Sequence, residues 1–356
     1  MNARTPAPVH PQVDDGRVRK RRRAASDPHW RHPPRVPPPD FGPPPNLEHD
    51  PEFWFEDGSV VLIAQNVGFR VYKRLLAEHS PFFRDLFAIP QPVPAPKVEG
   101  CPLVYLSEFA WQFRHFLRAL FPTKGNLTFG ARQDHLSMDA LSTVVRLAHK
   151  YQIDQLVAQG LGHLMEYYTD DFAEWTKTDR RTCLDPAPLD AISVINIAHL
   201  TNTSSVLPLA FLDVSTAGGA LLRGVLRGEP RCFVEGLTVP DLERVFDGRA
   251  AMMDYASKAI VRIFQPEPQG YGGCGSSRCQ RAFTGKVEEL EDLLSLLHSE
   301  GMGRCWADEF RNDSGSGWPI CERCREMVEK RDVKERKAFW RELPKFFKLE
   351  IEGWGV

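Results

Sequence analysis

Two close pairs of cysteines, Cys274-x4-Cys279 and Cys321-x2-Cys324, place the tightest condition on this chain. A fold that uses them together must bring two segments far apart in sequence to one point. The two-residue spacing of the second pair lets both thiolates of one turn face a single ion, and four thiolates around a tetrahedral ion make a closed structural zinc site. Five of the eight cysteines fall in the last 83 residues, where Gly272-Gly273, Gly275-Ser276-Ser277 and Gly315-Ser316-Gly317 with Pro319 supply turns but little core. A segment of that kind gains folding free energy from a bound metal. The expected ligands are Cys274, Cys279, Cys321 and Cys324, with structural Zn2+ as cofactor and Cys305 or His298 as substitutes. Between the pairs, leucines at 290, 293, 294 and 297 predict an amphipathic helix over Val287 to Leu297. The alternative is free thiols in small-residue loops, the state expected of Cys101, Cys183 and Cys232.

The same region holds His298-Ser299-Glu300 followed by Pro319-Ile320-Cys321-x-x-Cys324. This echoes the zinc deaminase signature H-x-E…P-C-x-x-C. Ile320 separates proline from cysteine, His298 ends its helix instead of opening it, and Cys274 and Cys279 would go unused. A deaminase is therefore the remote reading. Glu288, Glu289, Glu291 and Asp292 read as a solvated helix face. No phosphate loop, nucleophile elbow or H-E-x-x-H is present, and Asp57, Tyr72 and His79 assemble no triad. The chain is expected not to be an enzyme.

Charge and proline usage separate an arm from a body. Residues 1–46 hold twelve of the 29 prolines and nine Lys/Arg against four Asp/Glu, while the remainder carries 36 against 43. The arm cannot bury enough apolar surface to offset its ordering entropy and is expected to be disordered. The run Arg17-Val18-Arg19-Lys20-Arg21-Arg22-Arg23 reads either as a nuclear-import signal or as a solvated linker. A body with net negative charge disfavours direct nucleic-acid binding, which needs many cations on the folded surface. No stretch approaches the ~20 apolar residues of a membrane span. Nuclear or cytoplasmic residence is expected, and with it reduced cysteines.

The folded body is predicted to begin near Phe53. Asp57-Gly58 is a turn, Ser59 to Ala64 a buried strand and Phe69 to Val71 its hairpin partner. Ser80-Pro81 opens a helix carrying Phe82, Phe83, Leu86 and Phe87, and Leu103 to Leu106 is a further strand. Helical spacing recurs at Leu141, Val144, Val145 and Ala148, then at Val157, Leu161, Leu164, Met165 and Tyr168. Gly160 and Gly162 in the second of these suggest close helix contact. Leu189 to Leu200 and Val206 to Val214 form another helical pair if Pro208 lies in a first turn, and short helical patterns continue to Phe264. Lys330 to Lys337, with its alternating charges, reads as a salt-bridged exposed helix.

The succession Asp57-Gly58, strand, Phe69-x-Val71, then Leu75-Leu76-x-x-x-Ser80-Pro81-Phe82-Phe83-x-x-Leu86-Phe87 resembles the opening of a BTB/POZ domain. Val144 to Ile153 resembles that family's penultimate helices. With paired cysteines and the closing Leu343-Pro344-x-Phe346-Phe347-x-Leu349, the chain is similar to a BTB subfamily expanded in mushroom-forming fungi. Tyr72 stands where many members have His, and Tyr can pack its ring and bond its hydroxyl locally. The resemblance implies an α+β domain, a small sheet flanked by helices, followed by an all-α region and a cysteine-rich, zinc-stapled C-terminal region. The divisions are 1–46, 47–170, 171–268 and 269–356.

The resemblance also implies a protein-interaction module that homodimerises or docks a cullin scaffold, with ubiquitin-ligase substrate adaptor as its specific form. The alternative is a nuclear transcription or chromatin regulator using the basic arm and zinc region. The aromatic entry Phe53-Trp54-Phe55, costly to leave in water, favours the homodimer.

Overall fold

Val60–Ala64 is apolar and buried at every position, which places it mid-sheet. In the computed structural model, which describes residues 43–90, 96–121, 136–177, 182–228, 233–266, 274–294, 301–310 and 319–355, five strands run in the order β1-β3-β2-β5-β4. They are β1 (Glu48–Trp54), β2 (Val60–Ala64), β3 (Val67–Val71), β4 (Lys97–Val98) and β5 (Cys101–Leu106). The basic run Arg17 to Arg23, Cys232 and His298 lie outside the described residues.

The expected hairpin is β2 against β3, antiparallel from Val60↔Val71 to Ala64↔Val67. The expected third strand, β5, runs parallel to β2. The fold starts earlier than Phe53, because β1 lies parallel to β3 at the sheet edge. Pro51 is tolerated there, since an edge strand need not donate on both sides. Buried Asp50 accepts from the Phe53 and Glu52 amides, 3.0 Å each, and pairs with Arg114 at 2.6 Å.

Helices α1 (Lys73–His79) and α2 (Pro81–Ala88) follow. Ser80 caps α2 by accepting from the Phe83 amide at 3.1 Å, while its hydroxyl donates to the Tyr151 carbonyl at 2.6 Å. One serine thus starts a helix and ties it to the end of α4. Helix α3 (Ala110–Leu120) was not predicted, although Phe113, Phe116, Leu117 and Leu120 carry the helical period and are buried. Phe109, a poor N-cap residue, gives no start signal.

Helices α4 (Met138–Lys150) and α5 (Asp154–Tyr167) pack through Gly160, where an added Cβ would lie 2.3 Å from Val145. Gly162 faces open space, so the predicted close contact holds for Gly160 alone. Helix α4 is a shared wall. Val144, Leu147 and Ala148 join the core that includes β2, β3 and α3, whereas Met138, Leu141 and Val145 join a second core running on to Phe347. Packing thus crosses the sequence divisions at 170/171 and 268/269.

Beyond the short α6 (Phe172–Trp175), the second body is helical: α7 (Ala191–Thr201), α8 (Leu207–Ser215), α9 (Val239–Phe264), α10 (Ser277–Glu288) and α11 (Glu322–Phe346). Pro208 does sit in the first turn of α8. A two-stranded hairpin, β6 (Val225–Arg227) with β7 (Phe233–Glu235), adds to the predicted helices. The short patterns expected up to Phe264 are one 26-residue helix, which Thr238 opens by accepting from the Asp241 amide at 3.0 Å.

The C-terminal helix crosses α9 where Gly248 has no side chain. A Cβ there would lie 2.3 Å from the Phe347 ring, which stacks on Phe211. Helix α11 is less exposed than its alternating charges suggest, because tertiary contact overrides them. Lys330 and Glu326 pair in solvent, but Asp332, Glu335 and Arg336 are buried. Asp332 accepts from the Trp306 amide at 2.9 Å, and Glu335 pairs with Arg262 of α9 at 2.7 Å. The C-terminal region accordingly shares the second core: Phe310 packs between Phe264 of α9 and Phe283 of α10, and Trp306 is fully buried. Among the described residues, no helix is long and apolar enough to cross a membrane.

Candidate metal centre

Both cysteine pairs straddle a helix start. Cys274 precedes α10 and Cys279 is in its first turn. Cys321 is the N-cap of α11 and Cys324 is in its first turn. The orphan N–H groups and dipole of a helix N-terminus favour negative charge, which at Cys321 lowers the thiol. Helix α10 reaches Phe310 through Phe283, and the starts of α10 and α11 converge at the four sulfurs.

The geometry there suits one ion. The four Sγ atoms lie within 4.8 Å of one another, with Cys274 and Cys321 3.6 Å apart. A tetrahedral ion at 2.3 Å from each sulfur sets sulfur–sulfur edges of about 3.8 Å. The Cys321 amide donates to Cys279 Sγ at 3.2 Å. Cys279 and Cys324 are buried, Cys274 is half-buried and Cys321 is exposed. The cluster is therefore anchored in the core and open at one edge.

The thiols are not equivalent. The Cys324 amide bonds the Cys321 sulfur and, against burial, brings that thiol down to about 7. Burial pushes Cys324 well above its ordinary value, with the neighbouring sulfurs adding to the rise. At Cys274 the Ser276 amide pulls down, but the sulfurs of Cys321 and Cys279 and desolvation leave the thiol raised. Cys321 ionises readily, whereas Cys274 and Cys324 are held toward the neutral thiol. Four converging thiolate donors with no carboxylate suit zinc and fill its tetrahedral shell.

The structure brings together Cys274, Cys279, Cys321 and Cys324 and leaves Cys305 outside the group. Cys305 packs near Trp306, and burial together with Asp332 raises its thiol. The helix predicted over Val287 to Leu297 is seen in part: residues 290–294 are helical, and 295–297 lie outside the described residues. An earlier helix, α10, begins at Ser277, includes Cys279 and ends at Glu288, one residue before the helical residues 290–294. Cys279 in the first turn was the missed sign, since the leucines drew the prediction toward the later segment.

The BTB/POZ domain family profile matches residues 56–166, the span that holds β2 to β5 and α1 to α5. A BTB/POZ domain is present. No curated protein and no solved structure matches the chain.

In the BTB domain, Tyr72 donates to Asp57 Oδ1 at 2.8 Å and stacks on Phe55 with ring centroids 5.2 Å apart. This is the local satisfaction expected of a Tyr at that place. The entry aromatics do not supply the motive for dimerisation read from the sequence. Phe53 is buried in the domain's own core, and Trp54 stacks on His49 at 3.4 Å.

What the sequence reading missed is how the BTB domain joins the helical region. Arg146 of α4 pairs with Glu235 of β7, both buried. Arg227 of β6 also reaches Glu235 and pairs with Asp139 at 2.9 Å and Asp190 at 2.7 Å. Ser193 donates to Glu235, as does Asn196 at 3.1 Å. Beside it Phe233 stacks on Trp111 and Phe109 of the domain. No local pattern marks these partners, which are 89 residues apart in the case of Arg146 and Glu235.

Proposed function

We propose that this chain is a non-enzymatic adaptor in which the BTB domain assembles with protein partners while the helical body, stapled by zinc, presents a second recognition surface. The observation that supports it most is the continuity of the second core from α4 of the BTB domain to Phe347. A partner held by the BTB domain and one held by the C-terminal body would be kept at a fixed separation, as a scaffold requires.

In this reading the BTB domain homodimerises or docks a cullin scaffold, and the specific role is substrate adaptor of a ubiquitin ligase. Zinc would be held by Cys274, Cys279, Cys321 and Cys324 and would supply a closed staple between α10 and α11, with no position left for a reacting water. A shell completed by Cys274 and Cys279 would favour a structural metal over the deaminase reading, which leaves both unused. Residence is nuclear or cytoplasmic, with Arg17 to Arg23 as the basis for nuclear entry. Likeness to the fungal BTB subfamily rests on the paired cysteines and the closing motif, whose Leu343 and Phe347 are buried.

Affinity purification of the full chain from its native cell, followed by mass spectrometry, tests the role. Recovery of a cullin with the native chain, lost on substitutions in the BTB domain, supports the adaptor. Recovery of chromatin proteins alone replaces it with the nuclear regulator.

A further inference from the structure

We infer that a second metal site, separate from the four-cysteine cluster, lies where α5 meets the segment that follows it: His163, Glu166 and Cys183 bind one divalent ion of the zinc class and leave one coordination position open. His163 and Glu166 are three residues apart on α5 and so share a face. Cys183 returns to that face, with its Sγ 3.3 Å from His163 Nδ1. The three donor atoms lie within 4.8 Å of one another. Tetrahedral coordination at 2.0–2.3 Å sets donor–donor edges of about 3.3–3.8 Å, so the sulfur and imidazole already span such an edge.

The returning segment is held in place independently of any ion. The Leu136 amide donates to the Cys183 carbonyl at 3.0 Å, Thr182 Oγ1 donates to the Leu184 carbonyl at 2.6 Å, and Leu184 is buried. Glu166 is exposed and the other two are half-buried, so an ion can enter from solvent. One nitrogen, one oxygen and one sulfur select a borderline cation, since Mg2+ and Ca2+ prefer oxygen donors. Three protein ligands leave a fourth position for water or for a donor from a partner, unlike the closed thiolate cluster. The ion would also fasten the last BTB helix to the segment leading into α7.

Cobalt(II) titration of the metal-free full chain, followed by visible absorption, tests this. Two equivalents are expected. Cys183→Ser and His163→Gln should each weaken one of them at least tenfold with unchanged far-ultraviolet circular dichroism, and Cys321→Ser should remove the other. His163→Gln retains a polar side chain at a half-exposed position, so it keeps the test informative if Cys183→Ser misfolds. A single equivalent that Cys321→Ser removes and Cys183→Ser leaves untouched overturns the second site and spares the four-cysteine cluster. Two equivalents that survive both Cys183→Ser and His163→Gln also overturn it. A single equivalent lost in Cys183→Ser alone supports the second site and removes the first.

Discussion

Arg146 of α4 and Glu235 of β7 form an ion pair in which neither side chain meets solvent. Arg227 shares the same carboxylate, so one anion holds two guanidinium groups between the BTB domain and the hairpin. A buried pair is not itself strong evidence of net stability, but removing one member leaves charge stranded. Glu235→Gln should cost ~3–5 kcal/mol in urea unfolding at neutral pH.

The same carboxylate gives a pH dependence. Burial alone would raise the Glu235 carboxyl, but Arg146 and Arg227 outweigh it and hold the group below its ordinary value of 4.5. A depressed folded pKa means that this stabilisation is complete above 4.5 and is lost as pH falls from there through the folded value. The stability gap between the native chain and Glu235→Gln should therefore narrow below pH 4.5, as measured by unfolding midpoints across that range. A constant gap would mean that the carboxylate is not the charged partner.

Two glycines on one helix should respond in opposite directions. Gly160→Ala drives a Cβ to 2.3 Å from Val145 in the α4–α5 contact, and overpacking of that kind costs ~1–3 kcal/mol. Gly162→Ala meets nothing within 4 Å, so the helix-propensity gain of up to ~1 kcal/mol should stand alone. Thermal unfolding of the pair of variants reads both signs directly.

Metal loss should loosen the C-terminal body unevenly. With one zinc per chain in the four-cysteine cluster, Cys324→Ser should release it and speed hydrogen exchange in α10 and the first turns of α11. Phe310 keeps its partner Phe264 on α9, and the Trp306 amide keeps Asp332, so both should stay protected. The core formed by β2, β3, α2 and α3 should not change, because it shares no buried side chain with the cysteine region. Uniform exchange across all these elements would show that the ion staples nothing.

Assembly is the remaining expectation. Sedimentation of the full chain at micromolar concentration should give a dimer. A monomer would leave scaffold docking as the BTB role.

Local signals were legible and distant ones were not. Ser80-Pro81 announced α2 through capping chemistry, and the apolar run at Val60 to Ala64 announced a central strand. The cysteine spacing led to the four-sulfur cluster because thiolate chemistry depends on spacing. Glu48 to Phe53 lacks strand alternation, so β1 was invisible until β3 supplied its hydrogen bonds. The acidic and basic residues of α11 looked solvated because nothing in Asp332 or Arg336 foretells that Asp332 will take the Trp306 amide and Arg336 together. Glu235 could not be placed from sequence, since its partners come from α4, α7 and β6.

The two-sided character of α4 has a practical corollary for dissecting the chain. A fragment cut after the family boundary near residue 166 would keep the sheet yet bare Leu141, Val145 and Leu164, an oily strip that the intact chain never shows. Self-association of such a truncation would report the missing half, not the partner preference of the domain.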